Sequence, residues 1–226
     1  MLTHVNICDI LTTVNIAIES IIKLGEGRYG DRLKERPYHH GNLQIELLEE
    51  GLRLLHEEGR VGFSLRKLVK RIGVSPTACY NHYPTVDALL TAMKDYVTRK
   101  FSDALCEAAK MGPIEAATLN MGRAYVAFFA ENPHYFSFIY DTEDCNIILT
   151  EAKFDSGFEP FCIFKQNAIK CMEMNQIAES EYHDNLIIMW AAVHGLAAMA
   201  NMKGFQYSGD WGALTEKIIL KKLVLS

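Results

Sequence analysis

Five residues of one short segment could read a nucleic acid. If Val74, Cys79 and Tyr83 turn inward, then Thr77, Ala78, Tyr80, Asn81 and His82 are left facing out. The amide of Asn81 can pair with an adenine edge in bidentate fashion, and Thr77 and Ala78 can pack on a thymine methyl. The segment has no arginine for guanine; Arg66, just upstream, is the candidate for that. From Arg60 to Pro84 the basic residues are Arg60, Arg66, Lys67, Lys70 and Arg71, with no acidic residue, in a chain whose net charge is −5. A local cationic face on an acidic protein suits phosphate.

The surrounding residues specify how that segment is held. Ser64 precedes an apolar-periodic run and can cap its free amides. Leu65, Leu68, Val69 and Ile72 recur at helical spacing and form one apolar face. Gly73 closes the run, as a residue free to take positive φ does. Ser75 can cap the next helix, and Pro76 falls at its first position, where a missing N–H is harmless. The pattern predicts a helix-turn-helix whose second helix fits a major groove.

Other chemistries find less support. His39 and His40 are adjacent, so in an extended segment they point to opposite sides, and no suitably spaced carboxylate or cysteine joins them. The six cysteines, Cys8, Cys79, Cys106, Cys145, Cys162 and Cys171, form no C-x-x-C pair, which suits a reducing cytoplasm and small buried hydrophobes. His194 with Glu181 or Asp184 is the only acid–base set to imagine, and nothing in the sequence brings them together. The expectation is no enzyme, no cofactor and no metal.

The segments YHHGNL and SLRKLVKRIGVSPTACYNHYPTVDALL closely resemble the DNA-binding domain of the tetracycline-repressor (TetR) family of bacterial transcriptional regulators, over about Pro37 to Met93. The resemblance implies that Tyr80 and His82 contact the DNA backbone, with Ser64 and Arg66 at the start of the preceding helix. Together with Ser75, Thr77, Ala78 and Asn81 these make the expected DNA-facing set. One position departs: the family usually has a lysine where this chain has Val86, so one phosphate contact is missing. Further on, WAAVHGLAAM resembles a C-terminal subclass marked by Trp, His and Gly, here Trp190, His194 and Gly195.

The rest of the chain must position this module. The 226 residues are 49% hydrophobic and 23% charged, as in a globular protein, and no apolar run approaches a membrane span. No signal peptide is expected, because Asp9, Asn15 and Glu19 interrupt the first apolar stretch. Residues 1–36 read as an extension, with a possible helix from Ile10 to Leu24 and a basic arm of Arg28, Arg32, Lys34 and Arg36 able to reach the minor groove or phosphates. Residues 37–84 are the expected three-helix DNA-binding domain, and 85–226 a helical effector-binding and dimerisation domain; the class is all-α. The first helix runs from an Asn42 cap to about Glu58, with Leu43, Leu47, Gly51, Leu54 and Leu55 inward and an acidic face of Glu46, Glu49 and Glu50 turned away from DNA. A long helix follows Thr85 to about Lys110. Further helices are expected over Ile114–Ala130, Pro133–Tyr140, Phe158–Ile177, Glu181–Met202 and Thr215–Val224, with an acidic turn at Asp141–Asp144.

A half-site module binds weakly alone, and two modules spaced by helical turns read a palindrome. The helix Glu181–Met202 is apolar around more than one stripe, so Trp190, Val193, Leu196 and Ala197, with Ile218 and Ile219 of the last helix, are the candidate homodimer interface. Small apolar or aromatic effectors are what the family resemblance implies. The candidate pocket residues are Tyr125, Phe129, His134, Phe138, Trp190 and His194. The expected function is a cytoplasmic, homodimeric, ligand-responsive repressor of a palindromic double-stranded operator. The alternatives are a structural DNA-binding protein without an effector, or an enzyme retaining a helix-turn-helix.

Overall fold

Apolar residues at helical spacing build every main element. The computed structural model describes residues 43–140, 147–150 and 153–224. The expectations for the 1–36 segment and its basic arm, His39, His40, the Asn42 cap, and the acidic turn at Asp141–Asp144 lie outside those residues. Helix α1 (Leu43–Gly62) turns Leu47, Leu48, Gly51, Leu52 and Leu54 inward. Leu43 and Leu55 are only half-buried at the edge of this stripe, while Leu48 and Leu52, not assigned to it from sequence, are buried in it. At Gly59 the backbone leaves the helix, with φ of 69°, and one further turn follows. Only glycine adopts that conformation without strain.

Helix α2 (Leu65–Ile72) and α3 (Pro76–His82) are short, and their ends are fixed by side chains. Helix α4 (Val86–Ala109) then runs for 24 residues, about 36 Å at 1.5 Å per residue. Leu89, Met93, Val97, Phe101 and Leu105 form one buried stripe along it. Its first part packs on α1, and further on it meets α5 (Ala117–Glu131) and α7 (Glu159–Met174). One helix thus packs on both the N-terminal helices and the bundle behind them.

Helix α6 (Pro133–Tyr140) lies against α1, α4, α5 and α8 (Tyr182–Asn201). Helix α9 (Trp211–Val224) packs on α5 and α8. It begins four residues earlier than expected because Asp210 caps it: the Asp210 carboxylate accepts the Ala213 N–H at 2.5 Å, and Trp211 packs on Tyr207.

The fold is all-α, with one local addition. Strands β1 (Ile147–Thr150) and β2 (Lys153–Ser156) form an antiparallel hairpin, Ile147 opposite Ser156 and Thr150 opposite Lys153. Four-residue strands are too short for alternation to show in a sequence. No helix among the described residues is long and apolar enough to cross a membrane.

Candidate DNA interface and effector cavity

Each helix of the helix-turn-helix is capped at its start by a serine. Ser64 Oγ accepts the Lys67 N–H at 3.3 Å and Ser75 Oγ accepts the Ala78 N–H at 3.2 Å. Each hydroxyl proton stays available to donate, so a cap can also meet a phosphate. Gly73 takes φ of 83°, and its N–H donates to the Val69 carbonyl. Beneath α3, Cys79 and Tyr83 are buried, and the Tyr83 hydroxyl donates to the Gln44 carbonyl of α1 at 3.4 Å. That fixes the outward face. Thr77, Tyr80, Asn81 and His82 are exposed, Tyr80 by 50%, while Ala78 is half-buried. Val86 is exposed beside them.

The cationic face is smaller than the sequence suggested. Arg71 lies against Glu57 through two hydrogen bonds, at 2.6 and 2.9 Å, and against Glu50 as well. Hydrogen bonding from Arg71 holds the Glu57 carboxyl below the usual range, and the Glu57 contact raises the Arg71 guanidinium further. Lys67 pairs with Glu58 and donates to the Gly62 carbonyl. These acids stand on α1, so its acidic side does not simply turn away: it faces the back of α2. Arg66 and Lys70, one turn apart on the other side of α2, are exposed and carry no ion pair among the described residues.

Glu49 was expected on that outer acidic face and is instead part-buried between elements. Its Oε1 accepts hydrogen bonds from Tyr96 at 2.6 Å, Tyr135 at 2.5 Å and Lys100 at 3.1 Å. His134 Nε2 lies 3.7 Å from the other oxygen, past hydrogen-bond length but within electrostatic reach. Burial alone would raise the carboxyl; the surrounding donors outweigh it and hold Glu49 well below the carboxylate range. α6 thus points His134 at α1, and it is not among the residues lining the cavity described next.

The aromatic expectation divides. Tyr125 and Trp190 meet edge to face with centroids 5.2 Å apart, and Phe129 packs on Tyr125. The Tyr125 hydroxyl shares hydrogen bonds with the Tyr140 hydroxyl at 2.8 Å and with His194 Nδ1 at 2.9 Å. Burial pushes the His194 imidazole down, toward the neutral form. Tyr125 and Trp190 line a narrow apolar cavity together with Leu105, Thr118, Met121, Gly122, Phe164, Met189, Val193 and Ile219, with room for little more than one water molecule. Phe129 and His194 support this cavity from behind, and Phe138, half-buried on α6, does not line it. Phe164 belongs to the same aromatic set; Tyr140 and Thr118 are not singled out by the sequence, and only Tyr140 carries a signal, four residues after Phe136 on one helical face.

The proposed dimer residues point the other way. Trp190, Val193, Leu196, Ala197 and Ile219 are buried inside the single chain, Ala197 completely, and Ile218 is half-buried. The side chains of Leu220 and Leu223 are outside the described set. An α-helix with apolar residues on most of its circumference buries one stripe in its own bundle and leaves another outside. The outer stripe of α8 is Ile188, Ala191, Gly195 and Ala198, continued by Met202 beyond the helix, with Ile188 exposed by 50% and Met202 by 58%. A Cβ built on Gly195 meets nothing within 4 Å.

Two family descriptions match this chain. Residues 47–93 match bacterial regulatory proteins of the tetR family, and residues 118–221 match the tetracyclin repressor-like C-terminal domain. The second range contains the Trp190, His194 and Gly195 segment. The uncharacterized HTH-type transcriptional regulator YobS of Bacillus subtilis (strain 168) is 28% identical over 96 residues, which span 42% of this chain and 50% of that protein. The chain therefore matches about half the length of this curated relative. Among solved structures, a protein of unknown function from Rhodococcus sp. RHA1 superposes with TM-score 0.63 at 22% identity, covering 81% of this chain and 95% of that one. AibR, solved in complex with isovaleryl coenzyme A and operator DNA, superposes with TM-score 0.58 at 10% identity, covering 79% and 96%. Identities this low speak for a shared fold.

Proposed function

Because this chain belongs to the TetR family of bacterial transcriptional regulators, we propose that it is a homodimeric, ligand-responsive repressor of a palindromic operator. The observation that carries the DNA-binding part is α3 itself. It is capped at its start and anchored beneath by Cys79 and Tyr83, and it offers Thr77, Tyr80, Asn81 and His82 to solvent beside Arg66 and Lys70. Tyr80, His82, Ser64, Ser75, Arg66 and Lys70 would hold the phosphates, and Thr77, Ala78 and Asn81 would meet base edges.

A second copy would dock on the outer stripe of α8, from Ile188 to Met202. The small residues Ala191, Gly195 and Ala198 at its middle let two helices approach closely. Spacings of three and four residues give a continuous seam.

The effector response would run through α6. His134, Tyr135 and Ser137 of that helix face α1, where Ser137 Oγ lies 2.9 Å from His56 Nδ1. Phe136 and Tyr140 face His194 of α8, with centroids 5.4 and 4.6 Å away. A ligand that moves Tyr125 shifts Tyr140, and with it the helix holding α1. Operator affinity falls only if the ligand favours the arrangement that does not fit DNA.

Selection of bound sequences from random duplex DNA at two salt concentrations tests this. A palindromic consensus with a steep salt slope is the expected result. Binding without a consensus would point instead to a structural DNA-binding protein.

A further inference from the structure

One polar side chain in the cavity lining beside Tyr125 has no hydrogen-bond partner among the described residues. Thr118 is 7% exposed, and its Oγ1 is buried without a hydrogen-bond partner among the described residues. The cause is its place in the chain. A threonine inside a helix usually donates to the carbonyl four residues back. Thr118 is the second residue of α5, and four residues back is Ile114, in a 3₁₀ turn. The Ile114 carbonyl already accepts the Ala117 N–H and the Cys171 thiol, the latter at 3.2 Å. A buried hydroxyl left unpaired is destabilising.

Around this hydroxyl the wall is apolar: Leu105, Met121, Phe164, Met189, Val193 and Ile219. The lining holds no lysine, arginine, histidine, aspartate or glutamate. A carboxylate or phosphate placed here would be desolvated with no opposite charge, which is strongly unfavourable. A neutral molecule meets no such penalty. Met121 and Met189 are flexible and polarisable, so the wall can widen around a guest larger than the space now open.

We propose that the effector is a compact, neutral, mostly apolar molecule with one hydroxyl or carbonyl oxygen, and that Thr118 Oγ1 is the group that recognises that oxygen. This rests on the effector reading above and adds the chemical class of the ligand and the residue that selects it. Thr118 acts here as a specificity residue, because shape and apolar area supply most of the affinity and the hydroxyl supplies the choice.

The test uses the full chain and two series of probes: phenol, toluene and benzoate for a ring, and 1-hexanol and hexanoate for a chain. Binding is read by calorimetry and by the shift in melting temperature. Phenol is expected to bind about three- to ten-fold more tightly than toluene, the worth of one hydrogen bond. 1-Hexanol should bind, and benzoate and hexanoate should give no shift. Thr118→Val keeps the shape and removes the hydroxyl; it should fold at least as stably as the parent, bind toluene unchanged and lose the preference for phenol. Thr118→Ser should keep that preference. The inference is overturned if the carboxylates bind as well as the neutral probes, if phenol and toluene bind alike, if Thr118→Val retains the preference, or if no neutral probe binds. Operator affinity measured in the same samples separates the two levels. Thr118-dependent binding that leaves operator affinity unchanged upholds the ligand class and removes the regulatory reading. Sequence-specific operator binding with no probe bound overturns the ligand class and leaves the DNA-binding reading standing.

Discussion

The Tyr135 hydroxyl donates to the Glu49 carboxylate at 2.5 Å and thereby ties α6 to α1. Tyr96 and Lys100 of α4 donate to the same oxygen, and Lys100 also donates to the Tyr135 hydroxyl at 2.9 Å. Three helices thus converge on one part-buried charge. Glu49→Gln keeps the size and removes the charge these donors address. It should lower stability by about 1.5–3 kcal/mol, the worth of hydrogen bonds to a charged group. The sign with pH is fixed. The folded pKa of Glu49 lies below its unfolded value of about 4.3, so its contribution is full above that pH and fades as pH falls through the folded value. Melting curves of both proteins from pH 7 downward should converge in acid; a constant gap at every pH would dismiss the charge as the cause.

On the proposed DNA side, Tyr80 and Asn81 are neighbours given different tasks by that proposal. Tyr80→Ala would remove the proposed phosphate contact and should weaken binding to every duplex alike. Asn81→Ala should relax preference at one base position, by about 1–3 kcal/mol of discrimination, and leave other positions intact. Competition binding against a set of single-base operator variants checks both. A uniform loss for Asn81→Ala would remove it from base reading.

Arg66 and Arg71 separate along the same helix. Arg66 is exposed without an ion pair among the described residues, so Arg66→Ala should reduce the slope of log affinity against log salt by about 1. Arg71 is already engaged with Glu57 and Glu50. Arg71→Ala should leave the slope unchanged and lower the melting temperature slightly. Equal slopes for the two variants would mean that DNA draws Arg71 away from α1.

These residues also show what a sequence discloses. Caps, turns and the outward set of α3 follow from local rules, and Ser64, Gly73, Ser75 and Thr85 all act as their types and positions predict. Glu49, Arg71 and His134 were misplaced because their partners are distant in sequence: Glu49 meets Tyr135, 86 residues on. Trp190, Val193 and Ala197, candidates for a dimer surface by sequence, are taken up by the chain's own core for a related reason. When a helix is apolar nearly all round, as α8 is, periodicity does not say which stripe its own bundle takes. The orphan hydroxyl of Thr118 depends on how Cys171 and a 3₁₀ turn use one carbonyl, which no spacing rule encodes.

That ambiguity about α8 gives the last prediction. Ala191 and Ala197 lie six residues apart on one helix, Ala191 exposed and Ala197 with none of its surface accessible. A glutamate at either position places a charge on an apolar stripe, but the stripes differ. Ala191→Glu leaves the chain's own core untouched and puts like charges face to face across the proposed dimer seam. It should give a folded monomer: light scattering reports half the parent mass, while circular dichroism and melting of the helical signal persist. Operator affinity should fall with it, because two half-sites are no longer held together. Ala197→Glu buries an unpaired carboxylate inside the bundle and should destabilise the chain by about 3 kcal/mol or more, with loss of the cooperative melt. If Ala191→Glu remained a dimer, the seam would have to lie elsewhere. If Ala197→Glu were a well-folded monomer, the packing of α8 against α5 and α7 would itself be wrong.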